Sequence, residues 1–178
     1  MVMKNIILSF ILICFYFEGF SQNNYDPFVG TWVYQKNDTV FKIKLQKGTV
    51  VYKSVLNDNE IEIFGGYSLS VRGALIEDYL KPLPASWAPN TKAPLFNIYI
   101  NAYTDKPGFL GFTFYDQRIK HVDNSGIPKG EMHLIAPNKL HWILNEKEGL
   151  LWRVEGTDIP YELKGFSVPE NVIMTKEE

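Results

Sequence analysis

Alternation of apolar and polar positions at period two runs through most of the chain. In Thr39 to Gln46, Phe41, Ile43 and Leu45 fall on one face and Lys42, Lys44 and Gln46 on the other, the pattern of an antiparallel strand with one buried face. Val29 to Lys36 precedes it. Asn37 and Asp38 between them tolerate left-handed backbone, which predicts a two-residue hairpin. Lys47 and Gly48 then read as a turn into Thr49 to Val55, and Asn57, Asp58 and Asn59 as a turn into Glu60 to Phe64. Gly65 and Gly66 interrupt the continuation through Tyr67 to Val71, predicting a bulge or a sharp corner. Ala74 to Leu80 reads as a short strand or helical turn.

Residues 81–94 carry Pro82, Pro84, Pro89 and Pro94 around Trp87, so this stretch reads as a long ordered loop rather than a ladder strand. Alternation resumes in Phe96 to Tyr103. Further strands are predicted at Phe109 to Tyr115, Arg118 to Val122, Glu131 to Ala136, Leu140 to Leu144 and Leu150 to Glu155. A last one, Val172 to Thr175, follows a turn at Pro169 in a C-terminal extension, 156–178. Many short antiparallel strands joined by short connections predict an all-β domain. An up-and-down meander closed into a barrel disposes of its edges, and a β-sandwich is the alternative.

The first 21 residues break the pattern. Lys4 is followed by an almost uninterrupted apolar run from Ile6 to Phe17, and Gly19 and Ser21 put small residues before the Ser21/Gln22 bond. The run is of signal-peptide length and short for a hydrocarbon layer of ~30 Å. Residues 1–21 are therefore expected to be a cleaved export signal, and residues 22–178 a single domain in the periplasm or outside the cell. A retained anchor or a lipid-modified Cys14 are the alternatives, and Leu12 and Ile13 before Cys14 argue against the second.

Composition sharpens this reading. Cys14 is the one cysteine of the chain. A mature domain without it has neither disulfides nor thiolate chemistry and must rest on packing. About 157 residues suffice for one core that hides roughly 70% of the unfolded surface. Aromatic residues are 15% of the chain, which favours strands. A formal charge of -2 leaves no electrostatic footprint for nucleic acid, and no basic block marks a membrane surface.

Gly30, Thr31 and Trp32 at the head of the first strand resemble the glycine-any-tryptophan signature of the lipocalin-like (calycin) β-barrels. The resemblance implies that Trp32 closes one end of the barrel, with a basic residue of the last strand across its ring; Arg153 falls at that place in chain order. A longer match runs from Phe28 through Leu45, over Phe64 to Val71, and through Phe166 to Met174. It resembles an uncharacterised family of exported bacterial proteins, known only as a domain of unknown function, and implies no activity.

Candidate chemistry is sparse. His133 and His141 are expected to share the outer face of a hairpin as a diagonal pair ~7 to 8 Å apart, with His121 needed from elsewhere, so no metal site is assigned. Asp116, Arg118, His121 and Asp123 cluster without an activated nucleophile, and Glu77 and Asp78 point to opposite faces. No cofactor motif occurs. The fold analogy implies a non-enzymatic binding module for a small apolar or amphipathic ligand, with Trp87, Tyr99 and Tyr103 as its lining. The alternatives are an envelope structural or protein-interaction module with a filled barrel, and a hydrolase of envelope or dietary polymers to which no residue is assigned.

Overall fold

A computed structural model describes residues 24–51, 59–81, 86–87, 98–104, 106–119, 127–146 and 164–178. The strands among them are β1 (Gly30–Lys36), β2 (Thr39–Val51), β3 (Asn59–Val71), β4 (Ala74–Asp78), β5 (Ser86–Trp87), β6 (Ile100–Tyr103), β7 (Phe109–Phe114), β8 (Ile127–Ala136), β9 (Lys139–Ile143) and β10 (Asn171–Lys176). Eight of them close on themselves. Going round the wall, β1, β2, β3, β6, β7, β8, β9 and β10 pair in turn, and β10 pairs back onto β1. Every pairing in this ring is antiparallel. The domain is thus the expected closed meander and not the sandwich.

Local chemistry explains much of the ring. Asn37 takes the left-handed backbone (φ 50°) that the β1–β2 turn requires, and Lys36 faces Thr39 across it. Phe41, Ile43 and Leu45 are buried on the inner face, as their alternation predicts. The same period puts Met132, Leu140, Trp142 and Leu144 inside, with Leu134 packed against them.

Several expectations are corrected. Lys47 and Gly48 do not turn the chain: β2 runs on to Val51, and Gly48 faces Glu62 of β3. The β-branched Thr49, Val50 and Val51 extend the ladder instead. Gly65 and Gly66 do not break β3, which keeps continuous register with β2; the irregularity lies between Leu69 and Ser70, against β4. The two glycines serve close approach. A β-carbon on Gly66 would lie 1.8 Å from the carbonyl oxygen of Tyr79. Residues 117–119 bend rather than extend, and β8 starts four residues earlier than expected, at Ile127. The predicted strand Leu150 to Glu155 lies outside the described residues, and the terminal segment supplies the strand that closes the wall between β9 and β1.

The interior is aromatic. Trp142 of β9 meets Phe41 of β2 at 5.5 Å between ring centroids, stacks on Phe112 of β7 at 4.4 Å, and takes Phe114 edge-on at 5.6 Å. Two of these partners come from well-separated parts of the wall, so the rings meet across the barrel axis.

Candidate functional site

Each end of the barrel is crossed by a segment held from inside by a tryptophan. At one end Pro27 starts a single 3-10 turn, Asp26–Phe28, that buries Phe28. The indole N–H of fully buried Trp32 donates to the Phe28 carbonyl at 2.7 Å. The Lys176 ammonium lies over the Trp32 ring, 5.3 Å from its centroid, and donates to the Pro27 carbonyl at 3.1 Å. Gly30 (φ +126°) makes room for it: a β-carbon there would sit 3.0 Å from Cε of Lys176. Arg153, for which the resemblance implied this role, lies outside the described residues; the cation seen over Trp32 comes from β10.

At the other end the indole N–H of Trp142 donates to the Pro169 carbonyl at 3.0 Å, and Val168 is buried in the core. Two buried carboxylates pin the same returning segment. Glu146 accepts the backbone N–H groups of Lys164 and Gly165 at 2.9 and 2.7 Å. Asp116 accepts Ser167 N–H on Oδ2 at 2.6 Å, and Arg118 N–H, Ile119 N–H and the Ser167 hydroxyl on Oδ1 at 2.8 to 2.9 Å.

The wall itself is interrupted beside this end. Strands β4 and β6 run in the same direction along one edge of β3, β4 against Ser68 to Val71 and β6 against Ile63 to Gly65. They are two halves of one wall position, separated by an excursion that leaves after Tyr79 and returns at Tyr99. Backbone bonds from Tyr79 N–H to the Tyr67 carbonyl (2.7 Å) and from Tyr99 N–H to the Gly65 carbonyl (2.9 Å) mark the two break points. The rings of Tyr79 and Tyr99 pack at 4.6 Å across the break, and both touch Tyr67.

Glu77 of β4 faces inward here and is 4% exposed. Its Oε1 lies 3.1 Å from the Tyr67 hydroxyl and its Oε2 3.1 Å from the Ser167 hydroxyl, which also reaches Asp116. Burial pushes the Glu77 carboxyl above its usual range, the bonds from Tyr67 and Ser167 oppose this, and the Asp116 charge adds to it. Burial likewise raises the hydroxyls of Tyr67, Tyr79 and Tyr99. The Ser167 hydroxyl stands within donating distance of both Glu77 and Asp116, Tyr67 donates to Glu77, and Gln117 N–H donates to the Tyr67 oxygen at 3.0 Å.

Asp116 and Glu77, which the sequence sets far apart, are thus brought together through Ser167. The signal for this was faint, because only closure of the barrel carries residues 77, 116 and 167 to one place. Their oxygens are turned to internal donors, the arrangement of a latch holding the C-terminal segment in place. His121 and Asp123 lie outside the described residues.

The expected ligand lining is not assembled in one place. Tyr99 is buried among the other tyrosines, whereas Tyr103 is 57% exposed on the outer wall, its ring over Gly111. The Trp87 backbone pairs with Val50 of β2, about 17 Å along that strand from the Leu45 position that faces Gly65. His133 and His141 face each other directly and not diagonally, with ring centroids 6.3 Å apart. Among the described residues no group of three or more His, Cys, Asp or Glu side chains converges as a metal site.

These features define a closed antiparallel β-barrel domain with an aromatic interior and two covered ends. Residues 3–177 match a family described as a family of unknown function (DUF6705), and the chain belongs to that family. No curated protein and no solved structure matches it. Among the described residues no helix is long and apolar enough to cross a membrane.

Proposed function

We propose that this domain is a non-enzymatic, lipocalin-like binding module that works from its outer surface, exported from the cytoplasm by its N-terminal segment. The observation that carries the reading is the contact of Trp142 with Phe41 and Phe112 across the axis. Side chains occupy the space where a lipocalin-like carrier would hold its cargo. The Trp32 and Lys176 pair supports the kinship with that barrel class, and the engagement of Asp116 and Glu77 by internal donors speaks for structure over hydrolysis. Recognition then falls to the outer wall, and an envelope protein is the partner class this favours.

Native mass spectrometry of the chain purified from its own host tests the proposal. The expected mass is that of the polypeptide alone or with a protein partner. A stoichiometric lipid-sized adduct that survives gentle desolvation and is released on unfolding would overturn it in favour of a cavity ligand.

A further inference from the structure

On the outer wall, one register row crosses four strands: Phe109 of β7 faces His133 of β8, His133 faces His141 of β9, and His141 faces Ile173 of β10. Directly opposed residues have β-carbons about 4.5 to 5.5 Å apart, close enough for two imidazoles to meet at one point. The rings of His133 and His141 lie 6.3 Å apart and tilted by 45°.

The outer nitrogens of both rings are already committed. His133 Nε2 lies 2.8 Å from Oε2 of Glu131, and His141 Nε2 lies 2.7 Å from Oδ1 of Asn171. The tautomer with its proton on Nε2 donates outward to these two oxygens. In that tautomer Nδ1 of each ring is a bare lone pair, and among the described residues neither Nδ1 has a partner. Metal-ligating histidines show this arrangement, in which the second nitrogen donates to a carboxylate or amide oxygen that fixes tautomer and ring orientation. Phe109 further restrains His133 by an edge contact at 5.1 Å. Metal–imidazole bonds of about 2.0 to 2.1 Å place two tetrahedral ligand nitrogens roughly 3.3 Å apart. With the centroids 6.3 Å apart, turning the rings about their Cβ–Cγ bonds brings the two Nδ1 atoms no nearer than about 4 Å, so closing the bite also takes a swing of the side chains about their Cα–Cβ bonds.

We propose that His133 and His141 form a two-histidine chelate on the outer wall for a late first-row divalent ion, with Glu131 and Asn171 as its positioning residues. Two imidazoles leave the other coordination positions to water. Such a donor set suits Cu2+, Ni2+ and Zn2+ over Mg2+ or Ca2+, with Cu2+ held most tightly. The ion clamps β8 to β9 and stabilises the folded state by mass action.

Calorimetric titration of the untagged full chain with nickel chloride and with copper chloride tests the site. One equivalent of each ion binds and raises the melting temperature. His133→Ala and His141→Ala each abolish this, and Glu131→Ala weakens it about tenfold. No uptake by the wild type, or unchanged stoichiometry and affinity in the His133→Ala/His141→Ala double variant, overturns the proposal. Paramagnetic broadening by Cu2+ in the unsubstituted protein reads the same site independently of variant folding. The ring signals of His133 and His141 broaden first, and earlier broadening elsewhere refutes the assignment.

Discussion

Glu77 is a carboxylate facing the interior of a barrel, and its stability effect follows from the sign of its shift. Its folded-state carboxyl is raised by burial, so between the ordinary carboxylate range and that raised value the folded state holds a proton that the unfolded chain has lost. The contribution is fully present below the unfolded value and is lost as pH rises through the folded one. Chemical denaturation across that interval is expected to show stability falling with rising pH. Glu77→Gln flattens the slope, because the amide accepts from Tyr67 and donates to Ser167 as the protonated acid does. An unchanged slope in that variant would reassign the effect. Gly66 is a second residue whose role is set by a neighbour: Gly66→Ala drives a methyl group into the Tyr79 carbonyl and is expected to cost about 1 to 3 kcal/mol in denaturant titration. The glycine was visible in the sequence, but its reason was not, because the contact depends on β4 ending over that point of β3.

Among the elements, β10 carries a disproportionate share. It fills the wall position between β9 and β1, buries Met174, and carries the lysine that lies over Trp32. Ending the chain at Glu170 would unpair an edge on each of two long-range neighbours and expose the core beneath. The expected outcome is loss of the cooperative thermal transition and aggregation, measured by calorimetry and light scattering. Lys176→Ala is milder, a loss of about 0.5 to 2 kcal/mol from the ring contact together with the bond to Pro27. Existence of β10 was legible from the alternation in Val172 to Thr175. Its place was not, since strand order at closure depends on which edges remain unpaired once the other seven strands have formed. For the same reason the place of Lys176 over Trp32 could not be read from the sequence.

At the scale of the whole molecule, filled and hollow readings of the barrel part at the contacts of Trp142 with Phe41 and Phe112. Phe112→Ala removes a ring stacked on Trp142 and is expected to cost about 3 to 5 kcal/mol, while opening an apolar void that takes up small aromatic compounds. Thermal unfolding with and without such a compound checks both effects: the variant gains melting temperature on its addition and the wild type does not. A wild-type gain of equal size would show a pre-existing cavity and count against a surface-acting module. The pairing of Trp32 with Lys176 makes the closing contacts among the longest in sequence, so folding belongs in the millisecond-to-second range of β-barrels.

The sequence by itself determined the all-β class, the hairpin at Asn37, the inward faces of β2, β8 and β9, and membership in a family without a known activity. These rest on local rules, because period-two alternation and turn chemistry act over a few residues and need no knowledge of what packs opposite. Only the tertiary structure decided that Trp142 meets Phe41 and Phe112 in the interior and that Glu77, Asp116 and Ser167 share one hydrogen-bonded cluster. It also turned His133 and His141 from a diagonal into a direct pair, through a register irregularity between Leu134 and Ala136 in the β8–β9 hairpin. Those outcomes depend on register and closure, which are settled by the fit of all eight strands at once.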